Sequence, residues 1–137
     1  MSRKLSIALA QLNWLVGDIE GNTERMLQTL HEQQKAGADL VMFSELALSG
    51  YPPEDLLYRD DFYQRCEAQL DRLQAATQQT AVLVGHPWRE EGNLYNALSL
   101  FADGKLLGVI SNSNYPTTAY LMRNAISLPV MIPVWWS

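Results

Sequence analysis

One carboxylate lies where catalytic residues are commonly found. Glu45 follows residues 39–43, a short run that looks buried, and precedes Leu46, Ala47 and Leu48. The junction between a buried strand and a loop is the usual position for chemistry on an α/β scaffold. Its apolar neighbours would desolvate this carboxylate, which would then hold a proton more readily and could act as a general base. The alternative is an ordinary solvated loop acid.

Two other side chains could take part in chemistry. His86 follows the apolar residues 81–85, at the same predicted end of the sheet as Glu45, and is either an active-site neighbour or a hydrogen-bonded loop histidine. Cys66 shares one helical face with Phe62 and other apolar residues, where a cysteine behaves as a small hydrophobe rather than as a nucleophile. We therefore predict a structural role for Cys66.

Two further polar side chains are expected to be inert. His31 falls on the solvated face of a predicted helix, and Lys105 sits at a predicted hairpin turn. We therefore expect no catalytic role for either residue.

The elements before Glu45 form a strand–helix–strand pattern. Residues 5–12 are almost wholly apolar and predict a strand covered on both faces. A helix is predicted from about Asn22, as its N-cap, to Gly37, which suits a left-handed C-cap. A second strand follows over residues 39–43. Short connections make this a βαβ unit with parallel strands, so Glu45 falls at the carboxyl end of the second strand.

The elements after Glu45 complete an α/β pattern. Pro53, followed by two acids, resembles the first turn of a short helix that would stiffen the Glu45 loop. Alternating and helical apolar spacing then predicts a helix, a strand and a hairpin. Their expected bounds are Asp60 or Asp61 to Thr77 for the helix, 81–85 for the strand, and 95–101 with 105–110 for the hairpin. The turn of the hairpin is expected at residues 102–104, which contain Asp-Gly.

Composition narrows the classes of function. A chain of 137 residues with 47% hydrophobic and 18% charged residues fits one soluble globular core. The net charge of -5 argues against binding to nucleic acid or to an anionic membrane. One cysteine excludes an intramolecular disulfide framework and suits the cytoplasm. We expect neither a signal peptide nor a transmembrane helix.

The stretch around Glu45 resembles a known family. Residues 43–57 read Phe-Ser-Glu-Leu-Ala-Leu-Ser-Gly-Tyr-Pro-Pro-Glu-Asp-Leu-Leu. They are similar to the signature of the catalytic glutamate in the glutaminase domain of glutamine-dependent NAD synthetases, within the nitrilase (carbon-nitrogen hydrolase) superfamily. The continuation from Gly50 favours that branch over nitrilases in general. Shorter matches extend the resemblance from Lys4 to about Gly108; they are residues 8–13, 17–18, 21–22, 85–87 and 95–97.

The resemblance implies a fold and a reaction. The fold would be a four-layer αββα sandwich of the nitrilase type, truncated here to about its first half. In such an enzyme a glutamate takes a thiol proton, a cysteine attacks the side-chain amide of glutamine, and a lysine steadies the oxyanion. Glu45 matches the general base and Tyr51 matches a tyrosine that lines the glutamine pocket. The lysine and the cysteine have no match in this chain.

The resemblance also implies where cofactors would act. Ammonia from glutamine would pass to a synthetase domain that amidates deamido-NAD with ATP and Mg. That domain is absent from this sequence, so no cofactor is expected for the present segment. Glutamine is the expected family substrate.

The sequence departs from the family after Gly108. There the family continues Tyr-Phe-Lys-Gln-Gln-Leu-Pro-Asn-Tyr-Gly-Val-Phe-Asp-Glu, whose lysine is catalytic, whereas this chain begins Val-Ile-Ser-Asn-Ser-Asn-Tyr-Pro. Reading the messenger from the third base of each codon, starting at Val109, recovers the family segment with permitted synonymous codons. We infer a single-nucleotide insertion or deletion near this point. Residues 1–108 would then be the N-terminal part of the hydrolase domain, and residues 109–137 a frameshifted tail.

A half sandwich has physical consequences. It would leave strand edges and helix faces uncovered, which allows self-association. Without the lysine and the cysteine, the chain is expected to be inactive alone. Two alternatives stay open: a non-enzymatic fragment that binds a partner through its exposed edges, and a fragment of another nitrilase-type amidase.

Overall fold

The computed structural model describes residues 4–50, 56 and 59–113. These residues form one five-stranded sheet, in the order β1-β2-β3-β4-β5, and two helices. Strands β1 to β3 are parallel, whereas β3, β4 and β5 are antiparallel neighbours. In chain order the elements are β1 (Ile7–Ala10), α1 (Ile19–Lys35), β2 (Leu40–Phe43), α2 (Asp60–Ala76), β3 (Ala81–Glu90), β4 (Asn93–Ala102) and β5 (Lys105–Ser113).

The first helix begins earlier than predicted. Asp18 is the N-cap of α1, and its carboxylate accepts a hydrogen bond of 3.1 Å from the backbone N–H of Gly21. Asn22, predicted as the cap, instead lies buried inside the helix. The predicted helix end is confirmed, because Gly37 follows α1 with φ +83°, a left-handed conformation that glycine adopts without strain.

Both helices pack on one face of the sheet. Fully buried apolar side chains from α1, α2, β2 and β3 form a continuous core there. The apolar residues at helical spacing on α1 and α2 form the stripe of each helix that is buried against the sheet. The largest fully buried members are Ile19, Met26, Leu30, Val41, Leu48, Phe62, Leu73, Val82 and Val84.

The opposite face is uncovered among the described residues. Leu9, Met42, Leu83 and Leu100 are in register across four strands and therefore share this face. Leu9 is 69% exposed, so the prediction that β1 is covered on both faces is wrong. One helix layer on one sheet is half of a four-layer αββα sandwich.

Two tight hairpins join the last three strands. The turn at Asp103 and Gly104 was predicted from its sequence, and both residues have positive φ, as a two-residue hairpin turn requires. Glu91 and Gly92 make an equivalent turn that was not predicted. Strand β3 was expected to end at Gly85 but runs on to Glu90, and it pairs with β4 from Val82 to Glu90.

Some predictions fall on parts of the chain that the structure does not describe. The short helix at Pro53, the residue Tyr51 and residues 114–137 lie outside the described residues. Strand β5 extends past its predicted end at Ile110 to Ser113. No helix among the described residues is long and apolar enough to cross a membrane.

Candidate active site

Glu45 lies just beyond the carboxyl end of β2, as predicted. Its side chain is exposed, so the expectation that apolar neighbours desolvate it is wrong. The side-chain amide of Asn96 on β4 donates a hydrogen bond to Oε1 of Glu45. Nearby, the indole Nε1 of Trp14 donates to Oγ of Ser44 over 2.9 Å. The carboxylate therefore lies at the surface, where it is hydrogen-bonded to Asn96.

The backbone after Glu45 is clamped from several sides. Leu46 has φ +50°, an uncommon conformation for a residue with a side chain, and residues 46–50 are all buried. The N–H of Leu48 donates to the carbonyl of Gly85 over 3.2 Å. The buried side chain of Asn22 donates to the carbonyl of Leu48 over 3.1 Å. Burial of the loop thus fixes the backbone next to the exposed Glu45.

Gly85 on β3 touches this loop too closely for any side chain. A Cβ atom there would lie 2.7 Å from the N atom of Leu46 and 2.8 Å from the carbonyl O of Ser44. Both are backbone atoms, which cannot turn aside as the end of a flexible side chain can. A glycine at this position therefore sets the distance between β3 and the Glu45 loop.

Replacement of Gly85 tests this contact. Gly85→Ala is expected to lower the free energy of unfolding by about 2 kcal/mol, because the added methyl overpacks a backbone contact. Urea denaturation of the two proteins measures the difference. Gly108→Ala on β5 is the matched control, because a Cβ there meets no atom of the described residues within 4 Å. Equal losses of stability in the two variants would contradict the role of Gly85.

His86 does not join Glu45. It lies within β3 rather than in a loop, and it is 3% exposed. Its Nε2 is 2.7 Å from Oγ of Ser99, and its Nδ1 is 3.0 Å from the carbonyl O of Pro87. Burial lowers the pKa of His86 to about 4. Because His86 pairs with Ala97 and the next residue pairs with Asn96, the His86 and Asn96 side chains lie on opposite faces of the sheet.

Cys66 is a core residue, as predicted. It lies on α2, is 2% exposed, and burial raises the pKa of its thiol to about 12. A thiol that is neutral and enclosed cannot serve as the nucleophile. His31 and Lys105 are exposed, on α1 and at the start of β5, as the sequence predicted.

Two cavities lie on the side of the fold that carries His86. They have volumes of about 140 and 220 Å³ and open between α2 and the sheet. Both are lined by Glu67, Leu70, His86 and Trp88, and neither includes Glu45. Glu45 itself is exposed at the surface.

Sequence reasoning missed the contact between Asn96 and Glu45. The residues are 51 positions apart, and no local pattern marks a strand asparagine as the partner of a distant loop. One signal was available: residues 95–97 belong to the stretches that resemble the family. That signal marked Asn96 as a position of interest but did not indicate what its side chain contacts.

Comparison with known proteins identifies the class of this fold. A mutant amidase from Nesterenkonia AN1, of the nitrilase superfamily, superposes with a TM-score of 0.71 at 21% identity. The match covers 79% of this chain and 42% of the amidase, and at this identity it shows the fold alone. The sequence profile of the carbon-nitrogen hydrolase family matches residues 6–118. The chain belongs to the carbon-nitrogen hydrolase family.

The relatives with higher sequence identity are named as one particular kind of enzyme within this family. The glutamine-dependent NAD(+) synthetase of Xylella fastidiosa (strain Temecula1) is 43% identical over 107 residues, covering 77% of this chain and 20% of the relative. The glutamine-dependent NAD+ synthetase of Acinetobacter baumannii, solved with ADP, has a TM-score of 0.74 at 33% identity. That match covers 84% of this chain and 22% of the other. The chain thus spans about a fifth of the length of the curated relatives it matches.

Proposed function

We propose that this chain is the N-terminal part of the glutaminase domain of a glutamine-dependent NAD synthetase, with Glu45 as its general base. The observation that carries the proposal is a glutamate beyond a strand end, bonded to Asn96, in a chain 43% identical to a relative of that name. Alone, the chain is inactive towards glutamine. Its one cysteine is buried in α2, within the layer between the helices and the sheet.

The chemistry explains why a lone glutamate is insufficient. In thiol-dependent amide hydrolysis a base removes the thiol proton, sulfur attacks the amide carbon, and a donor stabilises the oxyanion. Ammonia then leaves and water cleaves the thioester. Glu45 is exposed and can accept a proton, but it has no thiol to activate. A carboxylate without a nucleophile cannot carry out this acyl transfer.

A lost nucleotide accounts for the departure after Gly108. Reading from the third base of codon 109 corresponds to the loss of one base, and its restoration after codon 108 gives a lysine at position 112. In the backbone register, position 112 on β5 pairs with Asn96 on β4. Paired positions on antiparallel strands face the same side of a sheet. This register supports the proposal, because that lysine would lie beside Asn96 and Glu45.

The junction between domain and tail is part of the same proposal. Residues 1–108 are the native part of the domain and residues 109–137 are the shifted tail. The family match nevertheless continues through residue 118, and β5 continues to Ser113. The extent of the family match therefore does not fix the position of the junction, and the nucleotide sequence of the gene is what tests it.

Two measurements test the proposed function. The purified chain is expected to release no more ammonia from L-glutamine than its Glu45→Gln variant. The gene is expected to continue, in the frame reached by one added base after codon 108, into a segment that encodes a cysteine and then a synthetase domain. Turnover that depends on Glu45 in the present chain, or the absence of such an open frame, would overturn the proposal.

Partner binding is a second candidate, favoured by one observation. Leu5, Ile7 and Leu9 are 66%, 46% and 69% exposed on and before β1. Contiguous exposed apolar side chains are typical of surfaces that another layer or partner covers. In this second candidate function the chain self-associates through this face and the sheet edges and has no enzymatic role.

The rest of the proposed parent lies outside this chain. Its synthetase domain would amidate deamido-NAD with ATP and Mg, and the ADP in the Acinetobacter baumannii structure was bound by that relative. A cytoplasmic location belongs to the same proposal and fits the free, buried Cys66.

A further inference from the structure

Asn96 occupies a rigid position in the sheet. It lies within β4, whose backbone pairs with β3 on one side and β5 on the other. Its register partners are Pro87 and Asn112. Its side chain is half-buried, and its Nδ2 reaches Oε1 of Glu45, 51 residues away in sequence. A group fixed by two neighbouring strands thus contacts a group on a loop.

The Glu45 side chain needs such a contact to be held in one orientation. The clamp formed by Gly85, Asn22 and the buried residues 46–50 fixes the backbone of the loop. It does not fix the side-chain torsions of an exposed glutamate. Within the described part of the chain, Asn96 supplies the hydrogen bond that the Glu45 carboxylate accepts.

A carboxamide at this position suits a carboxylate that must accept a proton. The Nδ2 of asparagine donates, and a carboxylate accepts such bonds through either oxygen. Engaging Oε1 leaves Oε2 free to take a proton from a neighbouring group. A hydrogen bond to an ionised acceptor is also stronger than one between neutral groups. Neither an apolar residue nor an aspartate at position 96 could donate in this way.

We propose that Asn96 is a positioning residue for Glu45: its side-chain amide holds one carboxylate oxygen and aims the other at the thiol whose proton Glu45 removes. The inference rests on the proposed function for the identity of that thiol. The contact between Asn96 and Glu45 does not depend on it. The two can therefore be tested separately.

The first test uses the full chain as it exists and needs no activity. In ¹⁵N-labelled protein, the side-chain amide signals of Asn96 are identified by their loss in Asn96→Ala. Glu45→Gln is expected to shift these signals more than those of any other Asn or Gln side chain. Glu90→Gln, an exposed acid on the same hairpin, is the control and is expected to leave them in place. Unshifted Asn96 signals in Glu45→Gln would overturn the inference.

The second test measures catalysis in the frame-restored protein. Asn96→Ala is expected to lower kcat for glutamine hydrolysis about 10-fold or more while leaving KM unchanged, because the base is misaimed but glutamine still binds. Asn96→Asp, which keeps the shape but cannot donate, is expected to be no better. Asn93→Ala, at the exposed start of the same strand, is the matched control. An unchanged kcat in Asn96→Ala would overturn the inference.

The outcomes separate the two proposals. If the Asn96 signals respond to Glu45→Gln but the restored protein releases no ammonia, the proposed function fails and the contact stands. If the restored protein is active and Asn96→Ala is equally active, the proposed function stands and the positioning role fails. A rise in KM with unchanged kcat in Asn96→Ala would assign this residue to glutamine binding and would also overturn the positioning role.

Discussion

Restoring one nucleotide after the Gly108 codon is expected to give a protein that hydrolyses glutamine, whereas the present chain is expected not to. The restored frame carries a lysine at position 112, in register with Asn96, and the downstream segment is expected to carry the nucleophilic cysteine. Together with Glu45 these groups would provide a base, a nucleophile and an oxyanion donor. Ammonia release from L-glutamine, measured side by side for the original and restored gene products, checks this expectation.

Glu45→Gln in the restored protein separates the general base from the rest of the site. Loss of a general base typically lowers a rate 10²- to 10⁴-fold, and we expect a loss of about that size in kcat. Glutamine keeps the size of the side chain, so the fold should be retained. Glu32→Gln, an exposed acid on α1, is the matched control. A Glu45→Gln variant as active as this control would contradict the assignment of the general base.

Local sequence patterns were sufficient to predict the main helices, strands and turns of the fold. Helix α2 was predicted to within a residue at its ends, because its apolar stripe repeats at helical spacing and Asp60 opens its first turn. The parallel pairing of β1 with β2 followed from the short connections of a βαβ unit. The Asp103–Gly104 turn was readable because few residue pairs adopt positive φ at both positions.

The errors share one physical cause, which is that distant contacts decide what local patterns leave open. Asn22 has the composition of an N-cap, but its amide binds Leu48 in the buried loop, and Asp18 takes the capping role. His86 follows an apolar run that looks complete at Gly85, yet β4 pairs with it and extends the strand. Neither partner could be inferred from neighbouring residues.

The candidate site shows the same division between local and distant information. The position of Glu45 at a strand end followed from the order of elements. Its exposure did not, because the apolar residues that follow it turn inward to the core instead of surrounding the carboxylate. The contacts with Asn96 and Gly85 join segments 51 and about 40 residues apart. Only the folded sheet brings them together.

Buried His86 is expected to make the folded chain sensitive to mild acid. Burial lowers the pKa of His86 from the ordinary 6.5 to about 4. Between pH 6.5 and about 4, His86 therefore binds a proton in the unfolded chain but not in the folded chain. The stabilisation is therefore complete above pH 6.5 and is lost as the pH falls from 6.5 to about 4. The pKa difference sets an upper limit of about 3 kcal/mol on the loss. Urea denaturation at several pH values across this range measures it.

Two comparisons assign this loss to His86. His86→Gln removes the titrating ring but keeps a donor and an acceptor for Ser99 and Pro87, so its stability should vary less between pH 6.5 and 4. His31→Gln, on the exposed face of α1, should behave like the original chain. Glu20 affects stability at lower pH, because its hydrogen bond with Arg65 lowers its pKa from 4.5 to about 2. A His86→Gln variant as acid-sensitive as the original chain would show that another group carries the effect.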